Sequence, residues 1–352
     1  MLEDADEILG ELSCGEVQEM MDKMLGEQSF SFTGYVEKLM QGQIPFSSDG
    51  LTYGLANGLA AGVAQERKMF LYLILIAVIG AVLGNFTSLL QGKQVAETAF
   101  YAVYLLFFSV LLTAFSQTTR IAEDTLAALL DFMKVLSPAY FTSMAFSEGA
   151  LSSGAYYEFT LVMITVVDWV LVKFALPAIH VHFLLRIANQ FSERDIFSKM
   201  AELIRDAVKF VMKTMFGLMM GFNVIQGMIL PVTSKIETSA AVKLGGALPG
   251  VGNAVSSVAS TVLLAGNLVK NAVGAAGVIA VFFYCGVPLL RIVLHRFLFQ
   301  VTGAVIQPVS DKRMVACVSA VVESLQMITY AVFVGCMMFV ISIALISTMT
   351  SL

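Results

Sequence analysis

Six stretches of this chain are apolar over a length that fits a hydrocarbon core of about 30 Å at about 1.5 Å of helix rise per residue. They run from Met69 to Leu90, Ala99 to Phe115, Phe159 to Ile179, Phe210 to Leu230, Ala272 to Leu290 and Met327 to Ile346. Only 13% of the 352 residues are charged and 58% are hydrophobic, whereas charged residues make up about a quarter of a soluble domain. The expected fold is therefore an all-α, polytopic integral membrane protein with about six transmembrane helices plus amphipathic helices. A nucleic-acid-binding domain, a disordered chain and a secreted disulfide scaffold are excluded, because none tolerates such runs. The run Val242 to Leu268 and the stretch Phe297 to Pro308 have the composition of re-entrant helices that protein must bury, so seven or eight passes stay open.

Charge divides the chain unevenly. The total is −5, yet the first 30 residues hold nine acids against the single base Lys23. Two regions follow: residues 1–68 as an acidic extracytoplasmic arm with short helices built on Val17, Met20, Met21, Met24 and Leu25, and residues 69–352 as a polytopic membrane domain. Lys and Arg bias sets the orientation. With the N-terminus outside, the inside segments carry Lys93, Arg186, Arg194, Lys199, Arg205, Lys209, Arg291, Arg296, Lys312 and Arg313 at about twice the density of the outside segments, which include Arg120 and Lys134. Arg67 and Lys68, beside the first span, argue the other way. Before the fourth span, Ile196, Met200, Leu203, Ile204, Ala207, Val208 and Val211 alternate with charges at helical spacing. Ser192 and Asp195 resemble a capping box that would start this interfacial helix. The opening MLEDADEILG lacks a basic-then-apolar pattern, so a leader is either absent or removed.

Few residues suggest chemistry. Asp168 and Lys173 lie nearest the middle of a span, where an ionisable group is costly and hence a functional candidate. Their spacing puts them about 140° apart on a helix, so they do not pair directly. The bland alternative has Lys173 snorkelling and Asp168 bonded between helices. Gln226 is a third intramembrane polar candidate. His180 and His182 do not share a helix face and have no third ligand nearby, and the four cysteines show no metal spacing. LGGALPGVG lacks the GKS/T ending of a phosphate loop. The expectation is no enzyme, no cofactor, no metal and no nucleic acid partner.

The most unusual stretch is Gly221 to Lys312. Between Lys243 and Asn271 nearly every residue is Gly, Ala, Ser, Val, Leu, Asn or Pro, and small residues let helices approach closely in a membrane. Tight packing within one chain and an oligomer or pore interface are both open. On the second reading Lys243, Gly252, Asn253, Gly266, Asn267, Lys270 and Asn271, in the small-residue segment 242–271, belong to a homo-oligomer's central path, because unpaired polar groups cannot face lipid cheaply.

In order along this region, VIQGMILPV, AVKLGGALPGVG, LVKNAVG, PLLRIVLHRF and AVIQPVSD resemble the stage III sporulation protein AE family of endospore-forming bacteria. The matching positions are Gln226, Gly227, Lys243, Pro249, Gly252, Leu268, Lys270, Asn271, Gly274, Pro288, Gln307 and Pro308. Ser310 stands where the family's QPxGD form has glycine, so no role is carried over to Asp311. The resemblance implies a multi-pass protein of the mother-cell membrane around the forespore. It also implies a part in the secretion-like channel complex, with the other proteins of the stage III sporulation A operon, a forespore-side channel partner and membrane lipid as partners. The alternatives are a secondary transporter coupled through Asp168 and a passive membrane scaffold docking partners through the acidic arm.

Overall fold

The computed structural model describes residues 14–25, 31–41, 70–79, 82, 93–148, 150–191, 195–246 and 252–349, and every regular element among them is helical. In chain order they are α1 (Cys14–Leu25), α2 (Phe32–Met40), α3 (Phe70–Ile79), α4 (Lys93–Glu148), α5 (Ala150–Val170), a π-turn (Leu171–Ala175), α6 (Leu176–Phe191), α7 (Ser198–Gly246), α8 (Gly252–Ile306) and α9 (Lys312–Met349). Five helical stretches are long and apolar enough to cross a membrane: Tyr101–Pro138, Glu158–Gln190, Ser198–Ile225, Leu264–Ile306 and Lys312–Ala344. They account for the second to sixth windows of the sequence. Of the first window, the described helix is Phe70–Ile79; the segment Leu51 to Ala64 ahead of it, whose small residues predict a further helix, lies outside the described residues.

Helix α9 is the hub. In its most apolar window 61% of the residues are buried, against 22–39% in the other four, and it packs on α4, α6, α7 and α8. Glycine sets the closest approaches. A Cβ at Gly335 would run into Leu126 Cδ2 of α4 and meet Leu171 Cδ1 at 3.5 Å. A Cβ at Gly277 of α8 would lie 2.9 Å from Leu136 Cδ2 and 3.7 Å from Ile343 of α9. Together with Tyr104 Oη to Cys317 Sγ at 2.8 Å, these contacts make α4 parallel to α9 and α8 antiparallel to both. The His182–Ser324 and Asn223–Ser342 contacts place α6 antiparallel and α7 parallel.

This register corrects the sequence reading of residues 116–158 as an outside loop. They begin inside α4, which is a single 56-residue helix containing Pro138. The apolar stretch Ala99 to Phe115 stands beside the first turns of α9, whereas Met327 to Ile346 stands beside α4 from about Thr118 to Leu136. Hydropathy locates an apolar run along the chain but not its height in a bundle, which packing between distant residues decides. Two further expectations shift. Phe297 to Ile306 is the continuous end of α8 rather than a separate re-entrant piece. The helix expected from Ser192 starts at Ser198, because Asn189 Nδ2 donates to Asp195 Oδ1 at 2.6 Å while Asn189 Oδ1 accepts the Phe197 N–H at 2.9 Å, closing a turn there. The hydrogen bonds hold the exposed Asp195 carboxyl below the usual carboxylate range.

The described part of the arm is helical, as its periodicity predicts. Ser31 caps α2 by accepting the Gly34 N–H at 3.1 Å, and Gln18 Oε1 accepts the Phe32 N–H at 2.6 Å, joining α1 to α2. Val17, Phe32 and Val36 are fully buried, with α1 against α4 and α2 against α8.

Candidate functional site

Glu323 is the only acidic residue after Asp311. It stands where three helices meet. Its Oε2 accepts from Arg186 Nη2 of α6 and its Oε1 from Arg205 Nη1 of α7, both at 3.2 Å, with 27% of the Glu323 side chain exposed. One carboxylate thus holds two guanidiniums apart and ties both helices to the hub. One residue on, buried Ser324 and His182 are hydrogen bonded, Oγ to Nδ1, at 3.2 Å. Across the bundle, Thr118 donates its hydroxyl to the Ala114 carbonyl at 3.0 Å, so its 2.9 Å contact with His295 Nδ1 uses the ring N–H as donor. Phe115 fills the space between these pairs, stacked on Phe183 at 4.2 Å and edge-on to His180 at 4.8 Å. Five helices therefore share one polar layer at one height. Arg120, Lys209, Arg291 and Arg296 fall within a few residues of it, against Asp206, which pairs with Arg205 at 3.1 Å, and Glu123, so the layer carries a net excess of cations.

A second polar feature lies further along α5. Asp168 borders a crevice lined by Leu126, Ile164, Val167, Leu171, Gly335, Met338 and Phe339, and its Oδ1 is buried with no hydrogen-bond partner. The π-turn follows within one helical turn. There the Leu176 N–H reaches the Leu171 carbonyl, one residue further back than in an α-helix. Pro177 explains the widening, since proline lacks an N–H and its ring crowds the carbonyl four residues before it. Lys173, on that turn, is exposed, so it and Asp168 do not meet, as their spacing requires.

The remaining sequence candidates fall in α7 and α8. Lys243 lies near the end of α7 and Gly252 and Asn253 open α8, while Gln226 is within α7; the side chains of these four lie outside the described residues. In α8, Lys270 is fully enclosed by the chain, Gly266 is buried, and Asn267 and Asn271 are half-buried. The structure brings Gly266, Asn267, Lys270 and Asn271 onto two successive turns and does not bring them to Asp168. Sequence reasoning missed Glu323; its isolation as an acid in an apolar region was the available signal. Among the described residues no group of three or more His, Cys, Asp or Glu is arranged to hold a metal ion.

A family model for stage III sporulation protein AE matches residues 30–350, nearly all of this architecture. The chain belongs to that family. It is also 22% identical over 316 residues to the stage III sporulation protein AE of Bacillus subtilis (strain 168), an alignment covering 90% of this chain and 79% of that one. No solved structure matches it significantly. Family membership gives the protein a role in sporulation, within the stage III sporulation A machinery, and the five long apolar helices agree with a multi-pass membrane protein. The family is one of sporulation membrane proteins rather than a known enzyme family.

Proposed function

We propose that this protein is a channel-forming subunit of the complex linking mother cell and forespore, and that it works as a homo-oligomer in the mother-cell membrane around the forespore. The observation carrying this reading is the family match across residues 30–350. Support comes from outward apolar side chains on every long helix, among them Phe159, Trp169, Phe210, Phe282 and Phe333, as a lipid-embedded bundle requires. Met69 to Leu90 is then the sixth pass, through α3. The cationic layer supports a cytoplasmic position for the connections at 191–198 and 307–311, which share one end of the bundle, and hence an extracytoplasmic arm over residues 1–68. Segment 242–271, with Lys243, Gly252, Asn253, Gly266, Asn267, Lys270 and Asn271, lies at or near the oligomer axis. Partners are further copies, the other proteins of the operon, a forespore-side channel protein and lipid.

One observation favours a second reading, a secondary transporter. A half-buried carboxylate with one enclosed oxygen that lacks a hydrogen-bond partner, just before a widened turn in a membrane helix, is the kind of place where such proteins hold a coupling ion. Reconstitution separates the two. Leakage of a hydrophilic tracer that persists in Asp168→Asn supports the channel, gradient-driven uptake lost in that variant supports the transporter, and neither leaves a scaffold. Native mass spectrometry accompanies it: Gly252→Leu or Gly266→Leu breaks the assembly while the monomer still inserts, whereas loss of the monomer itself supports packing within one chain, and a wild-type chain that stays monomeric in several mild detergents refutes the oligomer.

A further inference from the structure

Helix α4 differs from every other long helix in what it turns outward. From Val110 to Pro138 its exposed positions are Thr113, Gln117, Arg120, Asp124, Ala127, Asp131, Lys134 and Pro138, spaced alternately four and three residues apart. That spacing draws one straight stripe along the helix, and the stripe contains no large apolar side chain. The opposite face is entirely core: Ala122, Leu126, Leu129, Phe132, Met133 and Leu136 are buried. Arg120 to Lys134 stands beside the hub's apolar segment, because Leu126 meets Gly335 and Leu136 meets Gly277 beside Ile343. At those heights the neighbours expose bulky apolar groups, Trp169 and Phe282 at 62% each and Leu218 at 55%. The run of outward charges at this depth is thus on α4, the other exposed charges at neighbouring heights among the described residues being the single lysines Lys173 and Lys213.

We propose that the outward face of α4 between Arg120 and Lys134 lines a water-filled path through the membrane, closed by further copies of the chain. The proposal rests on the homo-oligomeric channel reading and assigns the wall of its path. Charged side chains at membrane depth face a bundle interior or a water-filled cavity, and here the bundle interior is already occupied by α4's other face. Asp131 and Lys134 pair at 2.8 Å with about half of each side chain exposed, so they present a solvated pair rather than a buried one. Asp168 lies within electrostatic range of both, its Oδ1 buried with no partner, which extends the polar lining inward from the stripe.

The chemistry of the wall restricts what it passes. Around a closed ring of copies, Arg120 and Lys134 form cationic rings flanking the anionic rings of Asp124 and Asp131, so ions of either sign meet both attraction and repulsion. Such a path favours small hydrophilic solutes over selection by charge.

The test is aqueous accessibility in liposomes containing the full-length chain with Cys14→Ser, the native Cys285, Cys317 and Cys336 being buried and silent. Single cysteines replace Asp124, Ala127 or Asp131 on the stripe and Val166, Trp169 or Phe282 on the apolar sides, and an impermeant maleimide is the probe. Stripe cysteines are expected to react more than about tenfold faster than the apolar-side cysteines. Stripe cysteines as unreactive as the apolar ones overturn the proposal, since the face is then covered by protein or lipid. Equal, fast reaction at all six also overturns it, since that depth is then outside the membrane. Native mass spectrometry of the same preparations separates the two readings: an oligomer with a silent stripe removes only this proposal, whereas a monomer removes the channel reading beneath it.

Discussion

Replacing Glu323 with Gln removes the one negative charge between Arg186 and Arg205 and leaves the two guanidiniums facing each other across α9. Each contact is 3.2 Å long. A unit pair near 4 Å is worth about 4 kcal/mol at an effective dielectric of about 20. Exposure of 27–35% of the three side chains admits water and screens the pairs, reducing each to about 1–2 kcal/mol. The amide still accepts one hydrogen bond, so the expected loss is about 2–3 kcal/mol of bundle stability. The loss belongs to the triad and not to the helices separately, which a double-mutant cycle isolates. Arg186→Gln alone costs about 1–2 kcal/mol, but in a Glu323→Gln background it relieves repulsion and costs nothing or stabilises. Denaturant titration in a mild detergent, followed by size-exclusion chromatography for the folded fraction, reads both. An effect of Glu323→Gln below about 0.5 kcal/mol, or strict additivity with Arg186→Gln, refutes the triad as a tie between α6, α7 and α9.

Gly335→Leu, which drives a side chain into Leu126 and Leu171, is expected to cost about 3 kcal/mol or more, while Gly217→Ala, with nothing within 4 Å, stabilises by about 0.5–1 kcal/mol; the same titration compares them. Asp168→Leu, which removes a buried oxygen lacking a partner, raises stability in detergent, and a lower transition midpoint than wild type contradicts that. For the orientation, native Cys317 is a poor reporter because it is buried against Tyr104; Asp311→Cys, in an exposed connection, is expected to resist an impermeant maleimide in intact cells and to react after permeabilisation. If the α4 wall conducts, Lys134→Glu shifts its permeability toward cations, measured as a change in reversal potential across a planar bilayer.

The parts of this fold open to sequence reasoning were those governed by local composition. Met327 to Ile346 is apolar because it crosses the centre of the bundle, and its run alone marks it as a helix. Nothing local says that it is the hub, because the hub position comes from glycine at 335 meeting leucine at 126, more than two hundred residues away. Helix α4 was hidden for a related reason. Arg120, Asp124, Asp131 and Lys134 lower its average hydropathy into the range of a loop, while the four-and-three spacing that makes it one-sided emerges only when its buried face is seen against α8 and α9. At the candidate sites, spacing correctly separated Asp168 from Lys173, but the Glu323 triad joins three helices that are adjacent only after folding.

The helix that touches nearly all the others follows them in the chain and is synthesised after them. Until Lys312–Met349 leaves the ribosome, Tyr104, Leu126, Leu171, His182 and Asn223 lack the surfaces they finally contact. Insertion into the membrane and assembly of the bundle are therefore separate events in time, with α4 to α8 held meanwhile by lipid or by the insertion machinery. A nonsense codon shortly after Gln307 would leave most of the membrane helices inserted yet without their common partner, a chain in the membrane but open to the proteases that clear unassembled subunits.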